Sequence, residues 1–171
     1  MFQIRHVKPC DYPAITEIYN HYVTETDISF EVSPLTVEQM ARRIEEIAST
    51  YPYFICEIDG KVTGYCYAHP WKTRAAYAAT LESTIYLHPA YLRQGLGRML
   101  MQVLICHCRE EGYDNLIACI TYGNEASCAL HEALGFKKAS HFRHVGRKLG
   151  RMLDVVDYQI ELQPDVSCYD L

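Results

Sequence analysis

Ile85-Tyr86-Leu87-His88-Pro89-Ala90-Tyr91-Leu92-Arg93-Gln94-Gly95-Leu96-Gly97 is the stretch whose reading decides the fold. A strand-like run ends at a proline, two glycines follow, and a helical pattern begins. Glycines at such a junction let a ligand approach the backbone closely. The first N–H groups of the helix, with the positive end of its dipole, then suit phosphate oxygens. Arg93 and Arg98 add positive charge beside them. The full dinucleotide-binding glycine pattern is not met, and neither is the Gly-Lys-Ser/Thr of a nucleotide phosphate loop. The element is therefore a strand–glycine–helix anion site whose ligand the rest of the chain must define.

Working outward from it, Thr80 to His88 reads as the strand that feeds the glycines. The helix after them carries Leu96, Met99, Leu100, Val103 and Leu104 at helical spacing and stops at Gly112. Leu116 to Thr121 is a short apolar strand of the kind buried on both faces. Asn124 to Leu134 is a helix closed by Gly135. Phe136 to Val145 and Met152 to Leu162 read as strands flanking a loop, Gly146 to Arg151, and 163–171 reads as a tail. Towards the N-terminus, Asp59-Gly60 joins strands Tyr53 to Ile58 and Lys61 to Ala68 in a hairpin. Thr36 with Gln39 forms a capping box before Met40, Ile44 and Ile47. Asp11 is positioned to cap a helix carrying Ile15, Ile18, Tyr19 and Tyr22, and Phe2 to Val7 opens the chain as a strand. The order βααβββαβαββ predicts one α/β domain, 1–162, with helices flanking a mixed, mostly antiparallel sheet.

Composition narrows the function. With 171 residues, 49% apolar and 22% charged, the chain is long enough for one domain with a sizeable core. A net charge of -5 leaves no basic surplus for nucleic acid. No run of ~18 apolar residues suggests a membrane span, and no leader pattern is seen, so a cytoplasmic location is expected. The eight cysteines include no Cys-x-x-Cys pair and several sit in apolar runs. They read as small buried hydrophobes in a reducing compartment. Cys106, His107 and Cys108 are adjacent on a helix and point in different directions, so no metal site is expected.

Several blocks, in order, carry a resemblance. Trp71-Lys72-Thr73-Arg74-Ala75-Ala76-Tyr77, Leu81-Glu82-Ser83-Thr84, Asn124-Glu125-Ala126-Ser127-Cys128-Ala129-Leu130-His131 through Phe136, and Gly146-Arg147-Lys148-Leu149-Gly150-Arg151-Met152-Leu153-Asp154-Val155 join the glycine segment. Together they resemble the GNAT superfamily of N-acetyltransferases, and more closely the phosphinothricin N-acetyltransferase family. The resemblance covers Ile4 to Leu162 and implies the GNAT fold, acetyl-CoA as co-substrate and a small amino-acid-like acceptor. It also implies a homodimer. Leu92 stands where the superfamily pyrophosphate loop has Gln or Arg. Backbone donors do not depend on that side chain, and Arg93 stands beside it as a substitute.

By that resemblance, acetyl-CoA lies along Ile85, Tyr86 and Leu87. Its pyrophosphate rests on Arg93, Gln94, Gly95, Leu96, Gly97 and Arg98, and Asn124 is a cofactor ligand or a helix cap. Read from position alone, Glu82 is either a general base or an ion-pair partner; the match to the family's Glu-Ser-Thr motif points to the base. His131 stands where many GNAT enzymes carry a tyrosine acid, and is acid, base or structural. Arg74 suits a carboxylate clamp or a surface ion pair, while Phe30 and Tyr77 suit pocket lining or core packing. Other acceptors (a polyamine, an antibiotic, a protein N-terminus) remain open. So does a non-catalytic acyl-CoA-binding regulator, although Glu82 and His131 favour catalysis.

Overall fold

A computed structural model describes residues 1–162; the tail read at 163–171, with Cys168, lies outside the described residues. The elements are β1 (Phe2–His6), α1 (Tyr12–Glu25), α2 (Val37–Ala48), β2 (Tyr53–Ile58), β3 (Lys61–Pro70), β4 (Thr80–Leu87), α3 (Leu96–Glu110), β5 (Asn115–Thr121), α4 (Glu125–Ala133), β6 (Lys137–Lys148) and β7 (Arg151–Glu161), with single 3₁₀ turns between some of them. The expected order is borne out. One seven-stranded sheet runs β1-β2-β3-β4-β5-β7-β6. Only β4 and β5 pair in parallel; every other neighbour is antiparallel.

Each face of the sheet has its own core. Leu96, Leu100, Met101, Leu104, Ile105 and Cys108 form one stripe of α3 and are 0–4% exposed. They pack on Leu81, Leu116, Ala118, Val156 and Tyr158, with Leu134 and Phe136 after α4. The spacing is that of a helix laid on a sheet, and removing one such leucine to alanine typically costs about 2–5 kcal/mol. On the other face Ile15, Ile18, Tyr19 and Tyr22 of α1 and Met40 and Ile44 of α2 cover Tyr53, Ile55 and Tyr65.

Local chemistry explains most boundaries. Thr36 Oγ1 accepts from Gln39 N at 3.2 Å and Gln39 Oε1 accepts from Thr36 N at 2.8 Å, completing the expected box. Asp59 and Gly60 both have positive φ, 47° and 79°, as a two-residue hairpin turn requires. Three readings need correction. The Asp11 carboxylate does not cap α1 through its first turn; it is turned instead to Arg5, accepting two bonds from it at 2.8 Å, and to Lys8 N at 2.7 Å. The expected loop Gly146 to Arg151 is strand except for the turn Leu149-Gly150, whose φ values of 49° and 73° close a tight hairpin. The cysteines are free among the described residues, but Cys10 and Cys119 are exposed rather than buried.

Candidate active site

Pairing between β4 and β5 runs from Thr80↔Asn115 to Ser83↔Ala118 and then stops, although β4 continues to Leu87 and β5 to Thr121. The two strands part, and a cavity of 450 Å³ opens between and above them, with Glu82, Phe30, Cys119 and His131 in its walls. A second cavity of 440 Å³ shares Ile85, Tyr86, Asn124 and Ser127 with the first and extends past Leu87 to Gly95. His88 N donates to Thr63 O of the β3 side, whereas Leu87 O accepts from the Tyr22 hydroxyl of α1. Backbone groups of a strand alternate sides with a period of two. The N–H groups of Ile85 and Leu87 therefore point away from β3, into the gap that β5 leaves.

The far cavity ends on the glycine segment. Leu92, Arg93, Gly95, Gly97 and Arg98 line it, and Arg93 and Gly95 are left-handed, with φ of 60° and 79°. A side chain built on Gly95 would meet no protein atom within 4 Å, so the space it leaves opens outward. The first bond of α3 runs from Met99 N to Gly95 O, so the N–H groups of Leu96, Gly97 and Arg98 have no acceptor within the helix. These donors and two arginines fit a pyrophosphate without any help from Leu92. Leu96 contributes only backbone, since its side chain is 4% exposed and lies in the core; Gln94 is exposed, and its amide donates to Ala90 O.

Glu82 shares its strand face with Thr84 and Tyr86, and its side chain is 28% exposed. Its cross-strand neighbour is His69, whose Nε2 lies 3.8 Å from Glu82 Oε1. Desolvation pushes the Glu82 carboxyl above its ordinary value; His69 opposes this and Asp157 adds to it. Cys119, beside them on β5, is pushed up to about 12 by desolvation and then by the Glu82 and Asp157 charges, which keeps it a thiol. A raised carboxylate at a cavity wall suits proton abstraction near neutral pH.

His131 is 2% exposed and stacks edge-on against Phe136. Its Nδ1 lies 2.8 Å from Ser127 O, a carbonyl that can only accept, so the proton sits on Nδ1 and Nε2 is left as an acceptor. Burial pushes its pKa below the usual histidine value, so the ring is neutral at neutral pH. Asn124 caps α4, its Oδ1 accepting from Ser127 N at 3.2 Å, and lines both cavities.

The segment 26–31 forms the remaining wall. Phe30 packs against Gly146, where any Cβ would overlap the ring. Lys148, 5% exposed, donates to Ser29 O at 2.5 Å and reaches Tyr22 O at 3.5 Å, tying β6 to the end of α1 and to this wall. Thr121 Oγ1 reaches Asp27 O at 3.0 Å and Ile28 O at 3.2 Å, and Arg151 pairs with Asp27 at 2.6 Å. Arg74 and Tyr77 stand on the β3–β4 connection, outside the residues lining either cavity; Tyr77 packs edge-on against Trp71. Sequence reasoning missed Lys148 and Thr121, whose partners lie far away in the chain and leave no local signal.

Among the described residues no cluster of three histidine, cysteine or acidic side chains is placed to hold a metal, and no helix is long and apolar enough to cross a membrane. Residues 4–156 match the family model described as acetyltransferase (GNAT) domain. The chain is 42% identical over 155 residues to a phosphinothricin N-acetyltransferase of Alcaligenes faecalis, covering 90% of this chain and 79% of that one. It is 36% identical to an L-methionine sulfoximine/L-methionine sulfone acetyltransferase of Salmonella typhimurium, covering 93% and 94%. A phosphinothricin acetyltransferase from Sinorhizobium meliloti, solved with acetyl-CoA, superimposes with a TM-score of 0.91 at 34% identity, covering 94% of this chain and 88% of that one.

Proposed function

The chain belongs to the GNAT family and is an acetyl-CoA-dependent N-acetyltransferase; on that premise we propose that it acetylates the amine of a small, amino-acid-like acceptor by direct attack. The observation that carries this reading is the parting of β4 from β5, which gathers the Ile85 N–H, Glu82 and His131 around one cavity continuous with the anion-binding helix end. Acetyl-CoA supplies a thioester carbonyl open to a neutral amine.

The protein's own groups do the rest. The α3 N-terminus, Arg93 and Arg98 hold the pyrophosphate, and Asn124 borders the same groove. The Ile85 N–H is the donor aimed at the carbonyl oxygen, where negative charge develops. Glu82 takes the proton that keeps the acceptor an inert ammonium. The neutral His131, with Nε2 open, is a hydrogen-bond acceptor and not a standing acid. The second proton, lost as the N–C bond forms, goes to the departing sulfur. Phe30 bounds the acceptor. Arg74 and Tyr77 are read as outer residues that meet the acceptor's carboxylate as it enters.

A cytoplasmic setting agrees with the seven free cysteines of the described residues. A homodimer is supported by Phe142, Val145, Leu149 and Met152, which are 45–59% exposed on the β6–β7 hairpin beside the open edge of β6. The test is thiol release from acetyl-CoA against a panel of amino acids, amino-acid amides, polyamines and peptides. Release stimulated by free amino acids such as methionine sulfoximine supports the reading; stimulation by polyamines or peptides alone contradicts it.

A further inference from the structure

The two cavities of the site meet where Ile28, Ile85, Tyr86, Asn124 and Ser127 border both of them. The acceptor comes from one side and acetyl-CoA from the other, so the thioester carbon and its sulfur lie at this junction. When the C–S bond breaks, the sulfur leaves with the electron pair and needs a proton. Of the five residues only Tyr86 and Ser127 carry a hydroxyl, and the Asn124 amide holds its protons too firmly to release one.

Tyr86 is committed elsewhere. Its hydroxyl is hydrogen-bonded to the Ser29 side chain, and burial pushes its pKa upward. Its ring packs 5.3 Å from that of Tyr19 and 5.1 Å from that of Tyr22. His131 borders only the acceptor cavity, and with its proton held on Nδ1 it offers a lone pair there.

Ser127 is different. It stands half-buried in the first turn of α4. Its N–H donates to Asn124, with O at 3.1 Å and Oδ1 at 3.2 Å, and its carbonyl accepts from His131 Nδ1 at 2.8 Å. Among the described residues its hydroxyl meets that same Nδ1, at 3.5 Å. That nitrogen carries a proton, so the serine oxygen can only accept from it, and the serine's own O–H stays available to a ligand.

We propose that Ser127 carries the second proton from the attacking nitrogen to the departing sulfur. The amine's lone pair forms the N–C bond, and the carbonyl π pair moves to the oxygen. When that pair returns, the C–S bond breaks and its electrons go to sulfur. The cationic nitrogen gives its proton to Ser127 Oγ as the Ser127 proton passes to sulfur, so the serine ends neutral and unchanged. The inference rests on the functional reading above and deepens it, naming the carrier of a proton whose route that reading leaves open.

Ser127→Ala tests it in the full chain with acetyl-CoA bound. Alanine favours a helix and Asn124 stays in place as the cap, so the melting temperature should hold or rise. On rapid mixing with saturating methionine sulfoximine, the single-turnover rate of thiol release should fall by about tenfold or more. Acetyl-CoA affinity should be unchanged. A wild-type single-turnover rate in the variant overturns the inference. A loss that saturating acetyl-CoA repairs overturns it too, because Ser127 would then be only a cofactor contact. A wild-type protein that binds acetyl-CoA but releases thiol with no amino-acid acceptor overturns the functional reading itself. Acceptor-dependent release by the wild type, with an unaffected variant, removes only the role of Ser127.

Discussion

His69 and Glu82 face each other across β3 and β4, with His69 Nε2 3.8 Å from Glu82 Oε1. His69 Nδ1 lies 3.0 Å from Pro70 O and must donate to it, so Nε2 is the nitrogen that meets the carboxylate. His69 therefore acts on Glu82, which lines the cavity, as a charge beyond hydrogen-bond distance.

This relationship fixes the direction of a pH effect. Glu82 works as a base only when ionised, and His69 holds its pKa below where desolvation and Asp157 would leave it. Replacing His69 with glutamine removes that restraint, so the acidic limb of kcat/KM should move to higher pH. Measured profiles of the two proteins check this; coincident limbs would show that His69 does not act on Glu82.

Gly95 serves both fold and ligand. Alanine there should cost about 1 kcal/mol in stability, since a left-handed φ of 79° disfavours any side chain. Valine should also weaken acetyl-CoA binding in calorimetry, because its branches project into the space over the α3 N-terminus. Undiminished affinity in Gly95→Val would place the pyrophosphate elsewhere.

Lys148→Met should take the Lys148 donor from the Ser29 carbonyl, while Tyr22 O keeps the Thr26 hydroxyl, costing about 1–3 kcal/mol. The wall carrying Phe30 would loosen, so the acceptor KM should rise more than the acetyl-CoA KM. Steady-state kinetics with each substrate varied in turn decides it. An unmoved acceptor KM in a destabilised variant would make Lys148 a fold residue alone.

What the chain revealed in advance follows the reach of each signal. The Asp59-Gly60 hairpin, the Thr36–Gln39 box and the glycine entry to α3 were legible because neighbours in sequence satisfy one another. Gly146 misled, because a glycine inside a strand reads as the start of a loop; here it is the only residue that lets Phe30 lie on β6. Asp11 misled for the opposite reason, since its partner Arg5 belongs to another element and takes the carboxylate that a cap would have used. Glu82 and His131 were singled out by resemblance, but periodicity alone placed Glu82 on the face of Thr84 and Tyr86. The parting of β4 from β5 had no local signal, because it is a property of the pairing between strands separated by α3. Lys148 reaches across 119 residues to Ser29 and was equally silent.

The central claim is that Glu82 removes the acceptor's proton, and the turnover of Glu82→Gln as a function of pH tests it most directly. The substitution keeps the volume while removing the base, so kcat at neutral pH should fall by about a hundredfold, or about 3 kcal/mol in barrier. Acetyl-CoA affinity should hardly change, because the donors of the groove come from other residues. Raising the pH should restore part of the rate as free amine becomes available from solution. The raised pKa gives a second sign: a partly desolvated Glu82 carboxylate destabilises the fold above its unfolded pKa, so the variant should melt higher than wild type at neutral pH and equally in acid. A hundredfold loss relieved by alkali is the predicted result; wild-type turnover by Glu82→Gln at neutral pH would contradict the account.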